Sequence, residues 1–423
     1  MEELLLNKDI IELKESSTLW LNTLVKEMRQ KGECVYHLGF GQSPFPVHPK
    51  IVEALRESSH EKDYLPTLGL LKLREKISEF YKEQFNYKFN PDNIIIGPGS
   101  KELLFQALFA LDGTVIIPAP SWVSYGPQVN IRGKHISRIL TKLENNYKIR
   151  PFELENLCQT LTSKQKILII NSPNNPTGTV YSDREIKDIV KVCKKYNVIV
   201  ISDEIYAQID FTGNKKKGFF HYYPERTIVT AGLSKSHSAG GYRLGFLASS
   251  KEMSSLIKCL ASLVSETFSA VSAPIQNAGV MAYSGDSEIM EYIGQCSKIH
   301  RASGYYLYHR FISMGFLLPK PGGAFYLMPS FENFRKKLQK KYQIFTSDDL
   351  SKTLLSEIKV AVLPATDFYL PSDWLCCRVA TVDYNGAKIY QESLKSKVLT
   401  EDFIEKNAPN LKLACDAIQN FLA

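Results

Sequence analysis

"KILIINSPNNPTGTVYSDREIKDIVKVCKKYNVIVISDEIY", residues 166–206, decides the fold class. Ile167–Ile170 and Val198–Ile201 are short, continuous apolar runs, and the stretch Ser182–Tyr196 between them reads as a helix. A strand that is apolar on both faces is covered on both faces, as in parallel sheets; strands with one wet face alternate instead. The same pattern recurs outward from this segment. Apolar runs lie at Ile94–Ile96, Val115–Ile117, Ile228–Val229 and Leu244–Ala248, with helix-like stretches at Ser100–Leu111 and Lys251–Val264. Strands alternating with helices predict an α/β architecture: a large domain with a mainly parallel sheet covered by helices on both faces. Ligands of such sheets sit at the carboxyl ends of the strands.

The flanks read differently. Residues 10–31 have helical spacing, with acids early and Lys26, Arg29 and Lys31 late, an order that suits the helix dipole. "HLGFGQSPFPVHP" (37–49) is irregular and extended by its prolines, and helical patterns follow near 49–60 and 68–85. Past residue 285 comes a long helical pattern over Gly285–Ser313. Short strands follow at Phe325–Met328, Val360–Leu363 and Arg378–Thr381, then a last helix over Ala408–Leu422 with Pro409 in its first turn. The expected division is 1–50 as an N-terminal arm and part of a small domain, 51–285 as the large domain, and 286–423 as the smaller α+β domain.

Composition narrows the function classes. Of 423 residues, 44% are hydrophobic and 23% charged, an ordinary globular balance. The net charge of +8 is spread thinly, and the basic runs Lys215–Lys217 and Arg335–Lys341 read as a solvated loop and a solvated helix face, so no nucleic-acid partner is expected. No stretch approaches the roughly 18 consecutive apolar residues of a membrane span. The acidic N-terminus lacks a secretory pattern. Eight cysteines without a C-x-x-C pair read as reduced thiols, which places the chain in the cytoplasm. The scattered histidines form no metal motif, so no metal is expected.

The loops after the strands carry the chemistry. In "IIIGPGSKELLFQ" (94–106) a strand ends in a glycine turn and a helix begins, which is an anion site or a plain turn. In "IIPAPSWVSYG" (116–126) Trp122 is either core or a platform for a flat ring. In "IINSPNNPTGTVYS" (169–182) Asn174 and Asn175 are turn residues or amide donors to a ligand. In "VIVISDEIYAQI" (198–209) Asp203 and Glu204 close a buried strand, where a carboxylate needs a partner, and Tyr206 follows. "VTAGLSKSHSAGGYRLGF" (229–246) places Lys235 and Arg243 in a loop of small residues after another strand. A lysine amine that condenses with an aldehyde, and an acid that pairs with a pyridine nitrogen, are together the signature of pyridoxal phosphate.

On these motifs, with "YLPTLGLLKLREKI" (64–77), "PGGAFY" (321–326) and "CRVATVD" (377–383), the chain from about Tyr36 to Thr381 resembles the class I/II aminotransferases of fold type I, the aspartate aminotransferase-like group. The resemblance implies pyridoxal phosphate as cofactor, with Lys235 as the lysine joined to its aldehyde and Asp203 as the acid on its ring nitrogen. It implies Asn175 and Tyr206 as donors to the ring's phenolic oxygen, Tyr206 also counting among the catalytic residues. Trp122 would stack on the ring. Gly99, Ser100, Lys101, Ser234 and Arg243 would lie at the phosphate. Tyr64 would reach the phosphate of a neighbouring subunit in a homodimer. Arg378 would clamp the substrate α-carboxylate, a task that suits its fork, with Gly39, Asn175 and Trp122 beside the substrate. Lys101 would face a distal carboxylate, as in some bacterial aspartate aminotransferases, or is a solvated residue of the first helical turn.

The implied activity is ping-pong transfer of an amino group from an L-amino acid to a 2-oxo acid, leaning to aspartate or glutamate with 2-oxoglutarate. The alternative on the same fold is a pyridoxal phosphate-dependent lyase, of the carbon–sulfur β-lyase or aminocyclopropane-carboxylate synthase-like kind. A nicotinamide dehydrogenase would want G-x-G-x-x-G, which "GPGSKE" is not. The chain departs from the family pattern at Gly232, where a serine is common, so one phosphate hydroxyl is expected to be missing. His237, Ala239 and "GQSPF" also depart from it.

Overall fold

The computed structural model describes residues 4–6, 8–11, 13–213 and 217–423. Lys215 and Lys216 of the first basic run lie outside the described residues. Twelve strands are found among the described residues. They are β1 (Tyr36–His37), β2 (Ile94–Gly97), β3 (Thr114–Ala119), β4 (Ile136–Leu140), β5 (Lys166–Asn171), β6 (Ile199–Asp203), β7 (Thr227–Gly232), β8 (Gly245–Ala248), β9 (Tyr326–Leu327), β10 (Val360–Ala361), β11 (Leu363–Pro364) and β12 (Cys377–Ala380).

Seven of them form one sheet in the order β2-β8-β7-β6-β5-β3-β4. Its pairs are parallel from β7 through β6, β5 and β3 to β4, while β8 runs antiparallel to both neighbours. The pleat explains why the runs are apolar throughout. Ile167, Ile169, Ile199 and Ile201 pack into one core, and Leu168, Ile170 and Val200 pack into another on the opposite face. Each strand therefore buries both sets of side chains beneath helices, as the sequence pattern requires.

The helix Asp183–Lys195 starts at a capping box in which the Ser182 hydroxyl accepts from the Glu185 N–H and the Glu185 carboxylate accepts from the Ser182 N–H. The helix Ser100–Ala110 opens directly after β2.

β4 is not among the expected strands. It is an edge strand, mostly half-buried or exposed, with Arg138 in the middle of its "ISRIL", so it lacks the apolar run that marks its neighbours. The expected helix over 10–31 is two pieces, Lys8–Ile11 and Ser17–Gln30. The later patterns are also shorter than expected, at Pro49–Glu57, Leu71–Phe85 and Ser287–Ser313.

Two small sheets lie outside the large one: β1 beside β10, and β11-β12-β9. The first joins sequence ends, because Tyr36 and His37 pair in parallel with Val360 and Ala361. Arg29 and Asp383 form an ion pair at 3.0 Å, and the Asp383 carboxylate also accepts from the His37 N–H. The N-terminal helix is thus bound to the last third of the chain. No described helix is long and apolar enough to cross a membrane.

Candidate active site

The carboxyl ends of β2, β3, β5, β6 and β7 open into a cavity of about 540 Å³. Its lining includes Ser100, Lys101, Trp122, Asn175, Asp203, Tyr206, Ser234, Lys235, Arg243 and Arg378, so ten of the thirteen expected site residues share one space. Gly39 and Gly99 stand behind the lining residues Arg378 and Arg243. Tyr64 is 96% exposed and is not brought to the cavity of its own chain. Ser16, Thr18 and Leu19 of the N-terminal segment close one side.

Lys235 follows β7. Its ammonium donates to the Gly41 carbonyl at 2.7 Å, and the rings of Tyr206 and Phe325 lie 5.7 Å away. Burial, then the neighbouring positive charge of Arg378, lowers its pKa to about 8. An amine at that value has a substantial neutral, nucleophilic fraction near neutrality.

Asp203 ends β6 and is 3% exposed. The Tyr125 hydroxyl donates to Oδ2 at 2.7 Å, and the Ile205 N–H reaches Oδ1 at 3.3 Å. Burial pushes its pKa up to about 6, against the opposing pull of those two donors and of Lys235. No cation makes an ion pair with it among the described residues. The next carboxylate, Glu204, points the other way, as the pleat demands. Ser202 and Tyr87 donate to it, burial raises its pKa to about 7, and it does not line the cavity.

Arg378, on β12, is 1% exposed. Nη1 donates to Asn175 Oδ1 at 3.1 Å and Nη2 to the Gly39 carbonyl, while the rings of Tyr326 and Phe368 lie 4.6 and 5.2 Å from its guanidinium carbon. Its Nε is buried and has no hydrogen-bond partner. A buried guanidinium without a carboxylate partner calls for an anion. Asn175 accepts from Arg378 through its oxygen, and its backbone N–H donates to Asn171 Oδ1. Asn174, the other candidate donor, is absorbed by the turn: its oxygen accepts from the Thr177 N–H and hydroxyl, and its nitrogen donates to the Asn171 carbonyl.

The opposite end is built for a phosphate-like anion. The helix Ser100–Ala110 starts at the cavity, which Ser100 and Lys101 line, and Gly99 precedes it with φ +89°. A Cβ on Gly99 would lie 2.5 Å from Nη2 of Arg243, so only glycine lets the guanidinium lie against the helix start. Arg243 is fixed there by donating to the Gly240 and Pro98 carbonyls, each at 3.0 Å. Ser234 lines the same end. Gly232 does not. A Cβ there would lie 2.7 Å from the Leu244 carbonyl oxygen, so close pairing of β7 with β8 accounts for the glycine.

Tyr125 and Tyr326 receive no role from the sequence pattern, although both stand inside its motifs. The Tyr326 hydroxyl is 2.8 Å from that of Tyr206. Trp122 meets Tyr125 edge-on at 5.3 Å and carries the Lys101 ammonium 5.1 Å from its ring. Lys101 makes no ion pair among the described residues, and desolvation and Arg243 lower its pKa. The departure at His237 is structural: the imidazole is buried between the Ser236 hydroxyl and the Ala282 carbonyl, and burial lowers its pKa to about 4.

The sequence and the fold have known counterparts. The family model of aminotransferase class I and II matches residues 34–388. The aspartate aminotransferase of Bacillus subtilis (strain 168) is 34% identical over 87% of this chain and 93% of its own length. That of Bacillus sp. (strain YM-2) is 35% identical over 88% and 94%. Among solved structures, the aspartate aminotransferase of Thermotoga maritima superposes with a TM-score of 0.81 at 28% identity, covering 99% of this chain and all of that one. These matches do not favour the lyase alternative.

Proposed function

The chain belongs to the class I and II aminotransferase family and is a pyridoxal phosphate-dependent aminotransferase, and on that basis we propose that it acts on dicarboxylic amino acids, aspartate or glutamate, with 2-oxoglutarate as acceptor. One observation carries the substrate class: Lys101, an ammonium lining the cavity beside Trp122 with no carboxylate of the described chain to pair with. An unpaired, partly desolvated cation beside Trp122, in a cavity that also holds the unpaired guanidinium of Arg378, favours a second carboxylate on the substrate. The names of the two Bacillus relatives agree with this reading.

The residues present fit the cofactor. The buried, raised Asp203 suits a cationic ring nitrogen, and the helix start with Ser100, Ser234 and Arg243 suits its phosphate. Trp122 offers a ring face, and Asn175 and Tyr206 offer donors at the remaining edge. When bound, pyridoxal phosphate supplies the aldehyde that receives the amino group and the ring that withdraws electrons.

The chain's own tasks then follow. Arg378 orients the α-carboxylate by its planar fork, and the orphaned Nε gains a partner. Asp203 holds a proton at the ring nitrogen. Nζ of Lys235, with its pKa near 8, takes the proton from the substrate Cα. The proposal extends to a cytoplasmic homodimer in which the exposed Tyr64 completes the neighbouring site, and to the division 1–50, 51–285 and 286–423.

The test is a panel of amino donors with 2-oxoglutarate, run on the wild type and Lys101→Ser. Aspartate and glutamate should lead the panel, and the variant should lose about 10–100-fold in kcat/KM for them while alanine changes little, the usual scale for one charged contact. Equal losses for all donors would remove Lys101 from the substrate.

A further inference from the structure

Tyr369 lies outside every motif, yet it reaches into the turn that carries Trp122. It follows the short helical turn Ala365–Phe368 and has φ 70° and ψ 16°, the left-handed region that a bulky side chain rarely adopts. That conformation aims the phenol at the loop between β3 and the helix Tyr125–Ile131. Its hydroxyl accepts from the Gly126 N–H at 2.8 Å and donates to the Val123 carbonyl at 2.7 Å, with the Trp122 carbonyl at 3.1 Å. Gly126 is what admits the ring, since a Cβ there would meet Tyr369 Cε1 at 2.9 Å. On the other side the Arg138 guanidinium lies 5.2 Å from the ring.

One hydroxyl thus satisfies two backbone groups, the Gly126 N–H and the Val123 carbonyl, of a turn that no other described hydroxyl holds. The same turn carries Trp122, edge-on to Tyr125, and Tyr125 donates to Asp203. Phe368, the preceding residue, lies under Arg378. We propose that the Tyr369 hydroxyl is a positioning group: it fixes the turn 122–126 so that the Trp122 face and the Tyr125–Asp203 hydrogen bond meet the cofactor ring in one geometry. This rests on the reading of Trp122 and Asp203 as cofactor contacts.

The experiment uses Tyr369→Phe, which keeps the ring and its packing and removes the bonds. Apoprotein is titrated with pyridoxal phosphate and followed by visible absorbance. The variant should bind it about 5–20-fold more weakly, the scale of ordering a loosened turn and its side chain on binding. The pH midpoint of the bound absorbance should also move. The effect should shrink in a Trp122→Phe background, because part of the action passes through Trp122.

Wild-type affinity and midpoint in Tyr369→Phe overturn the proposal, and so does a full additive loss in the double variant. A wild type that gives no visible absorbance with the cofactor overturns the reading of the site instead. Gly126→Ala presses on the same contact from the other side. Should Tyr369→Phe not fold, Gly126→Ala takes its place, with the same loss and the same dependence on Trp122 expected; wild-type affinity in that variant overturns the proposal equally.

Discussion

Asp203→Asn should stabilise the empty protein while weakening its hold on the cofactor. Burial raises the Asp203 pKa from its ordinary 3.8 to about 6. A carboxyl whose folded pKa is raised contributes stability that is complete below about pH 4 and is lost as the pH rises through about 6. Above pH 7 the ionised form therefore costs the apoprotein about 3 kcal/mol, from a gap of about two units at about 1.4 kcal/mol each.

Asparagine removes that charge. Its oxygen still accepts from Tyr125, but its NH2 faces the Ile205 N–H that the second oxygen had accepted, a loss of about 1 kcal/mol. The net gain is about 2 kcal/mol. With an unfolding entropy of about 2.1 cal/mol/K per residue, that raises the apoprotein Tm by about 2 °C at pH 8, and the gain fades toward pH 5. Cofactor affinity should move the other way, falling about 10–100-fold as the charge facing the ring nitrogen disappears. Thermal melts of both apoproteins from pH 5 to 8, with cofactor titrations, measure both signs. An apo Asp203→Asn that melts below wild type at pH 8, or a difference that does not shrink toward pH 5, would contradict this account of the buried carboxyl.

The uptake of pyridoxal phosphate by the apoprotein should quicken with pH and level off above about 8, the value to which burial and Arg378 lower Lys235; a midpoint near 10.5 in stopped-flow absorbance would show an ordinary lysine. Arg378→Lys exchanges a fork for a point charge and should cost about 100-fold in kcat/KM for every amino donor, with cofactor affinity within about threefold of wild type. A matching loss of cofactor affinity would take Arg378 away from the substrate. Gly232→Ser should not tighten the cofactor, because the new Cβ would press on the Leu244 carbonyl at 2.7 Å. A loss of about 1–3 kcal/mol is expected, read as a lower Tm, and a gain in cofactor affinity would restore the idea of a missing phosphate hydroxyl.

The layered α/β sheet is legible in the order of residues alone, because strands such as Ile167–Ile170 are apolar at every position and can only be buried on both faces. So is the gathering of chemistry after those strands, since Lys235, Asp203 and Asn175 lie in loops or strand ends whose polar groups a plain core would not tolerate. β4 is not legible there, because an edge strand needs no apolar run. Strict alternation places Asp203 and Glu204 on opposite faces, but only the packed sheet shows that Asp203 faces the cavity and Glu204 faces Tyr87. The pairing of Arg378 with Asn175, 203 residues apart, and of Tyr369 with Gly126, 243 apart, has no local signal at all. Local patterns report what each segment must bury, whereas which distant groups meet in a dry cavity, and so which pKa values shift, is fixed by how the segments pack.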